Sequence, residues 1–233
     1  MNWFYKNREE RSKWLAERFE KEISSSKSLL DVGCYNADFK KHIPISIKYT
    51  GIDIAGKPDI FINLDKIEKL PFNNNEFDTI VCADVLEHLE NIHLIFDELC
   101  RTSAKNIIIT LPNAYASIPE FIKGKKYAKT KEKQKQFGKY NKFYGLPLEV
   151  PEDRHRWFFS YDEAVEFMEY RAKKYNFKIS VQESEYQYKK LLFFRKIFFS
   201  ILRKRNKNLV DRNIIVLLQK KITNVPENIT KIR

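Results

Sequence analysis

Short apolar runs recur along the first half of the chain, separated by polar and turn-forming stretches. SLLDVG, KYTGIDI, DIFINL, FDTIVCAD and NIIITLP are rich in β-branched residues and bounded by Gly, Pro and Asn, which predicts buried strands in a largely parallel sheet. A short helix near Asp38–His42 and a longer one over Ile92–Leu99 fall between them, so the pattern predicts right-handed βαβ crossovers and a doubly wound α/β fold. Only AGKPD, residues 55–59, separates the second and third runs. That is too short for a helix, and a parallel pair normally needs a longer crossover.

Upstream, residues 3–22 place Trp3, Trp14, Leu15 and Phe19 among charges, predicting an amphipathic helix that flanks or covers the domain and ends at Ser24-Ser25-Ser26. Downstream, Ser160 with Glu163 forms a capping-box pattern ahead of a helix running through Ala172. FKISVQE and NIIVLLQ then read as the last two strands. The division expected is a single domain over 1–233: a helical flank at 1–27, a cofactor core at 28–113, an insertion capping the substrate at 114–156, and the rest of the core at 157–222.

Charge changes the picture mainly in two segments. The chain carries 43 basic and 31 acidic residues, a net +12. The excess fits an anionic partner; it fits a lysine-rich surface equally. Residues 121–142 mix many lysines with Phe121, Tyr127, Phe137 and Tyr140, a composition suited either to an anion-binding cap or to a solvated loop. Residues 189–205 combine Leu191, Phe194, Phe198 and Ile201 with basic residues. This predicted helix suits peripheral contact with an acidic membrane, a second subunit, or burial with a basic edge. Oligomeric state stays open. Cys34, Cys82 and Cys100 are scattered and form no C-x-x-C pair, which excludes a zinc ribbon and favours reduced thiols. The charged N-terminus lacks an apolar signal region, and no apolar run reaches the length of a membrane span. A cytoplasmic location is expected.

The candidate chemistry sits at the strand ends. A strand entering Asp31-Val32-Gly33-Cys34, followed about 20 residues later by a second strand ending in Asp53-Ile54, is the layout of nucleoside-cofactor sites. Glycine permits close backbone approach, and a carboxylate accepts ribose hydroxyl hydrogens. Asp65 and Asp84 are expected at the same edge of the sheet.

LLDVGCYNADF, YTGIDI, INLDKIEKLPFNNNEFDTIVCADVLEHL and IIITLPN resemble, in order and spacing, the class I S-adenosylmethionine (SAM)-dependent methyltransferases, in particular the broad group with LPF…FD…VLEH motifs. The resemblance covers about residues 28–113, with an echo over 155–168. It implies a Rossmann-like seven-stranded sandwich with a C-terminal antiparallel hairpin, and SAM held by Asp31, Gly33, Asp53, Ile54, Asp65 and Asp84. Gly33 would lie under the methionine part, Asp53 at the ribose and Asp65 near the adenine. The group's G-x-G-x-G is here Gly33, Tyr35 and Ala37. Tyr35 is poorly suited to positive φ, and loss of the glycine-lined approach argues against a dinucleotide.

Asp84-x-x-Glu87-His88 places three side chains on one helical face. The pattern resembles the E-x-x-E-H signature of metal-dependent O-methyltransferases of ubiquinone biosynthesis and of small-RNA 2′-O-methyltransferases, with His155 at the position of a further histidine. The resemblance implies a divalent ion, Mg or Mn, on Asp84, Glu87, His88 and His155. Two alternatives stand beside it: His88 acting as a base without metal, and L-E-H-L serving only as a helix start. The function expected is O-methylation of a small anionic acceptor: a sugar, nucleotide-linked or phosphorylated metabolite of bacterial surface polysaccharide biosynthesis. His88 and His155 are the candidate catalytic residues. An RNA 2′-O-methyltransferase is less favoured because no separate nucleic-acid-binding module is visible. A non-catalytic SAM-binding protein is the third reading.

Overall fold

The structure is a computed structural model and describes residues 7–118, 155–184, 207–209 and 211–221, with a few isolated positions between them. Seven strands form one sheet: β1 (Ser28–Val32), β2 (Lys48–Asp53), β3 (Ile60–Phe61), β4 (Phe77–Ala83), β5 (Ser103–Pro112), β6 (Phe177–Ser184) and β7 (Asn213–Lys220). Their spatial order is β3-β2-β1-β4-β5-β7-β6. The first five pair in parallel, and β7 inserts antiparallel to both β5 and β6. The order turns back at β1, so the cleft beyond the carboxyl ends of β1, β2 and β4 is where such sheets bind ligands.

Alternation along the central strands explains why their sequences read as unbroken apolar runs. Leu30 and Val32 of β1, Ile80 and Cys82 of β4, Ile107 and Ile109 of β5, and Ile214 and Val216 of β7 face one core, shared with α3 (Ile92–Thr102) and α4 (Tyr161–Lys174). Leu29, Val81, Ile108 and Ile215 point the other way, onto α1 (Arg8–Arg18) and the 3-10 turn Asp38–His42. Period-two strands with both faces buried give a three-layer α/β/α sandwich.

The N-terminal segment departs from the single helix expected. Its helix breaks at Phe19 (φ −112°, ψ 29°), and α2 (Glu20–Ser24) follows. Fully buried Phe19 lies at the break and packs in one cluster with Leu15 and Ile23, spaced four residues apart on the same face. Asn7 caps α1 by accepting the Glu10 N–H at 2.9 Å.

The strand expected over DIFINL shrinks to two residues at the sheet edge. Only Ile52↔Ile60 and Asp53↔Phe61 pair, and a pairing this brief needs no more than the link over residues 54–59. Asp59 fastens that link: its carboxylate accepts the Gly51 N–H at 2.7 Å, and its own N–H reaches the Gly51 carbonyl at 2.9 Å.

Both halves of the capping box at Ser160 form, and α4 extends two residues beyond the predicted end. The Arg171 guanidinium grips the Asp97 carboxylate through two bonds, at 2.9 and 2.5 Å, tying α4 to α3. The predicted helix at 189–205 and most of the lysine-rich 121–142 segment lie outside the described residues. No described helix is long and apolar enough to cross a membrane.

Candidate active site

A cavity of about 830 Å³ opens above the carboxyl ends of β1, β2 and β4. Gly33, at the exit of β1, has φ +76°, and a Cβ there would lie 2.2 Å from Val85 Cγ2. The residue is therefore glycine on two counts, backbone conformation and close approach. The turn that follows overturns the expectation drawn from the Tyr35 side chain. Tyr35 (φ 48°) and Ala37 (φ 56°) are both left-handed, so the turn keeps its shape without the second and third glycines. A left-handed non-glycine residue costs on the order of 1 kcal/mol, and neighbouring contacts offset it. The Tyr35 N–H donates to Asp53 Oδ2 at 2.8 Å. Its carbonyl accepts the Lys57 N–H at 2.7 Å. The Arg8 guanidinium lies 4.9 Å from the Tyr35 ring centroid.

Asp53 also accepts the Ala55 N–H, at 2.9 Å, through Oδ1. One carboxylate thus ties the glycine turn to the exit of β2, and it lines the cavity with half-open Ile54 at the rim. Asp65 lines the same wall and accepts the Glu90 N–H at 2.9 Å.

Asp31 does not reach the cavity, contrary to the expectation of direct cofactor contact. It is buried below the turn and accepts the Tyr49 hydroxyl hydrogen at 2.7 Å. Burial pushes its carboxyl up to about 7, opposed by the Tyr49 bond and the charge of Arg11 and reinforced by Asp53. Burial also drives the Cys34 thiol up to about 12, which leaves it an inert, protonated side chain.

The reacting end is built by two segments distant in sequence. Leu86–His88 form a 3-10 turn after β4. Three successive carbonyls of this turn and its exit are claimed by the returning chain: Glu87 O by the Arg156 N–H at 2.8 Å, His88 O by Arg156 Nε at 2.6 Å, and Leu89 O by Trp157 Nε1 at 2.6 Å. These bonds deliver His155 beside Glu87. Nε2 of His88 and of His155 lie 3.6 and 3.9 Å from Glu87 Oε1, and the two rings meet edge-on with centroids 4.7 Å apart. Glu87 is fully buried.

Of the four residues expected to share a metal, the geometry gathers Glu87, His88 and His155, with one ligand atom of each within 4.8 Å of the others. Asp84 stands apart from that cluster. At left-handed φ 54° it turns to Arg11 of α1 in an ion pair and accepts the Thr110 hydroxyl at 2.6 Å. Arg8 and Arg11, which line the cavity, carry no motif. The two arginines are indistinguishable by sequence from the other charges of an exposed-looking helix.

The chain matches a family model described as a methyltransferase domain over residues 4–179. It belongs to that family. The sheet order and antiparallel β7 of this SAM-dependent methyltransferase agree with solved structures of low sequence identity. A SAM-dependent methyltransferase from Archaeoglobus fulgidus aligns over 92% of this chain and 95% of its own, at 16% identity and TM-score 0.51. The PH0226 protein from Pyrococcus horikoshii OT3 aligns over 92% and 93%, at 14% identity and TM-score 0.53. Magnesium protoporphyrin IX methyltransferase from Synechocystis PCC 6803, solved with bound S-adenosylhomocysteine (SAH), aligns over 91% and 83%, at 11% identity and TM-score 0.50. At such identities the likeness concerns the fold. No curated protein matches the methyltransferase.

Proposed function

We propose that this methyltransferase transfers the SAM methyl group to an oxygen of a small anionic acceptor: a sugar, nucleotide-linked or phosphorylated metabolite of the kind used in bacterial surface polysaccharide assembly. One observation carries the reading. A single cavity runs from the Gly33–Asp53 turn to the Glu87–His88–His155 cluster, so a nucleoside cofactor and a proton acceptor share one space. In this reading Asp53 binds the ribose, Gly33 underlies the methionine part, and Asp65 borders the adenine. The net +12 charge favours an anionic acceptor.

His88 is the more open of the two rings, with 22% of its side chain exposed against 9% for His155. It takes the proton of the acceptor hydroxyl as the oxygen attacks the methyl carbon. The C–S bond breaks, the C–O bond forms, and SAH leaves. The buried Glu87 carboxylate stabilises the imidazolium, and positioning in the cavity supplies much of the remaining rate.

The cluster also fits a divalent ion. Two imidazole nitrogens and one carboxylate suit Mn better than Mg, which prefers oxygen ligands. When bound, such an ion would lower the pKa of a coordinated acceptor hydroxyl; Glu87, His88 and His155 would hold it.

Transfer of radiolabelled methyl from SAM to a panel of sugar nucleotides, sugar phosphates and short RNAs tests the reading, with EDTA and with added Mn. Methylation of a sugar-linked acceptor, reduced at least a hundredfold in His88→Ala, is the expected result. Methylation confined to RNA, or SAM binding without turnover of any acceptor, overturns it. Turnover unchanged by EDTA and by His155→Ala excludes the ion.

A further inference from the structure

The chain returns to the site at His155, and the residue that follows has contacts reaching well beyond that histidine. The Arg156 N–H and Nε engage the carbonyls of Glu87 and His88 at 2.8 and 2.6 Å. Its Nη1 donates to Glu90 Oε1, and its Nη2 faces Asp65 Oδ2 at 3.7 Å, inside ion-pair range but too long for a hydrogen bond. One guanidinium therefore meets both the turn that carries His88 and the wall proposed to border the adenine. That wall is itself joined to the exit of the turn. Asp65 Oδ1 accepts the Glu90 N–H at 2.9 Å, and the Asn91 side-chain amide donates to the Leu64 carbonyl at 2.8 Å.

A cation lining the cavity could serve to read an anion on the acceptor. The surroundings of Arg156 argue otherwise: Glu90 and Asp65 already present two carboxylates to it, which leaves little positive field for a third. The arrangement suits a mechanical link instead. Asp65 Oδ1 is committed to a backbone N–H, and Oδ2 stands on the side of Arg156. Asp65 and Arg156 keep 25% and 31% of their side chains exposed, so solvent screens their attraction. A nucleoside lying along the wall displaces that solvent, and a pair at this separation attracts several times more strongly once water is excluded.

We infer that Arg156 is a positioning residue that carries cofactor occupancy to His155. A nucleoside filling the Asp65 wall tightens the guanidinium, and with it the backbone that seats His155 beside Glu87. The reacting cluster is then held fast in the cofactor-bound protein and loosely without it, which favours binding of cofactor before acceptor. The inference rests on the cofactor reading above and goes beyond it in making the seating of His155 depend on occupancy.

Amide hydrogen exchange of the full-length protein, with and without SAH at a concentration shown by calorimetry to be saturating, tests the link. The Arg156 amide, bonded to the Glu87 carbonyl, reports the seating directly. SAH should slow exchange over residues 155–159 by about tenfold, and by more than in α4, which stands outside the cavity lining. Arg156→Gln keeps that amide and loses the guanidinium; saturated with SAH, it should show no such local slowing. Glu90→Gln alters a carboxylate that is 60% exposed and should show an intermediate slowing; it decides the matter if Arg156→Gln fails to fold. Equal slowing in the parent and in whichever variant folds means that the cofactor reaches this segment by another route, and the link is wrong. It is equally wrong if SAH binds the parent without slowing residues 155–159, or if folded Arg156→Gln no longer binds SAH. A parent protein that binds no SAH instead removes the cofactor reading itself.

Discussion

Replacing Asp31 by Asn tests the electrostatics beneath the cofactor turn. Asp31 is buried and titrates near 7, against 3.8 for an ordinary carboxyl, because burial disfavours its charged form more than the Tyr49 hydroxyl bond and Arg11 favour it. The native state therefore holds a proton on this group across a range where the unfolded chain has released it. Stability from the neutral carboxyl is complete below about pH 4 and is lost as pH rises toward 7. Above that the native group also ionises and the loss levels off. At about 1.36 kcal/mol per pH unit over roughly three units, the loss amounts to ~4 kcal/mol. Asn retains the acceptor for the Tyr49 O–H and carries no titratable proton. Urea unfolding of both proteins, followed by tryptophan fluorescence at several pH values between about 4.5 and 8, isolates the group, since the other carboxylates cancel in the difference. Asp31→Asn should gain several kcal/mol on the parent across that interval. A difference constant within about 1 kcal/mol would refute the assignment of a neutral, desolvated carboxyl.

Gly33→Ala should cost roughly 2–4 kcal/mol, from its positive φ and from overpacking on Val85. A double-mutant cycle with Val85→Ala should show favourable coupling of about 1–3 kcal/mol, measured by urea denaturation; strict additivity would mean that the close approach is not what excludes a side chain. Ser160→Ala removes the acceptor for the Glu163 N–H and should lower stability by about 1 kcal/mol in the same assay, with no change in the far-UV signature of the sheet.

What the sequence disclosed follows from how local each cause is. Strand alternation is written residue by residue, so all seven strands were legible, and the Ser160–Glu163 pattern announced its helix because capping acts over four residues. DIFINL is apolar enough to suggest a longer β3, whereas the tight link from β2 limits pairing to Ile60 and Phe61. Position 35 misled for a different reason. Side-chain bulk set the expectation, and the bonds from Asp53 and Lys57 that hold the turn come from β2 and the link after it. The approach of His155 to Glu87 was foreseen only through the family resemblance; nothing in its immediate neighbours foretells the Arg156 and Trp157 bonds that deliver it. Arg11 was invisible for the same reason. Its partner lies on another layer of the sandwich, and helix periodicity says nothing about which of several charges looks inward.

The Tyr35 turn has a consequence for how such chains diverge. When a loop's path is dictated by a carboxylate on the adjoining strand and an N–H of the link beyond it, its residues are released from having to be glycine and become free to acquire side chains. Position 35 can then vary from one lineage to another, recolouring the rim of the pocket while its outline persists. Enzymes of this architecture that have shed their glycine signature are better sought through the aspartate that anchors the turn than through the glycines it has made dispensable.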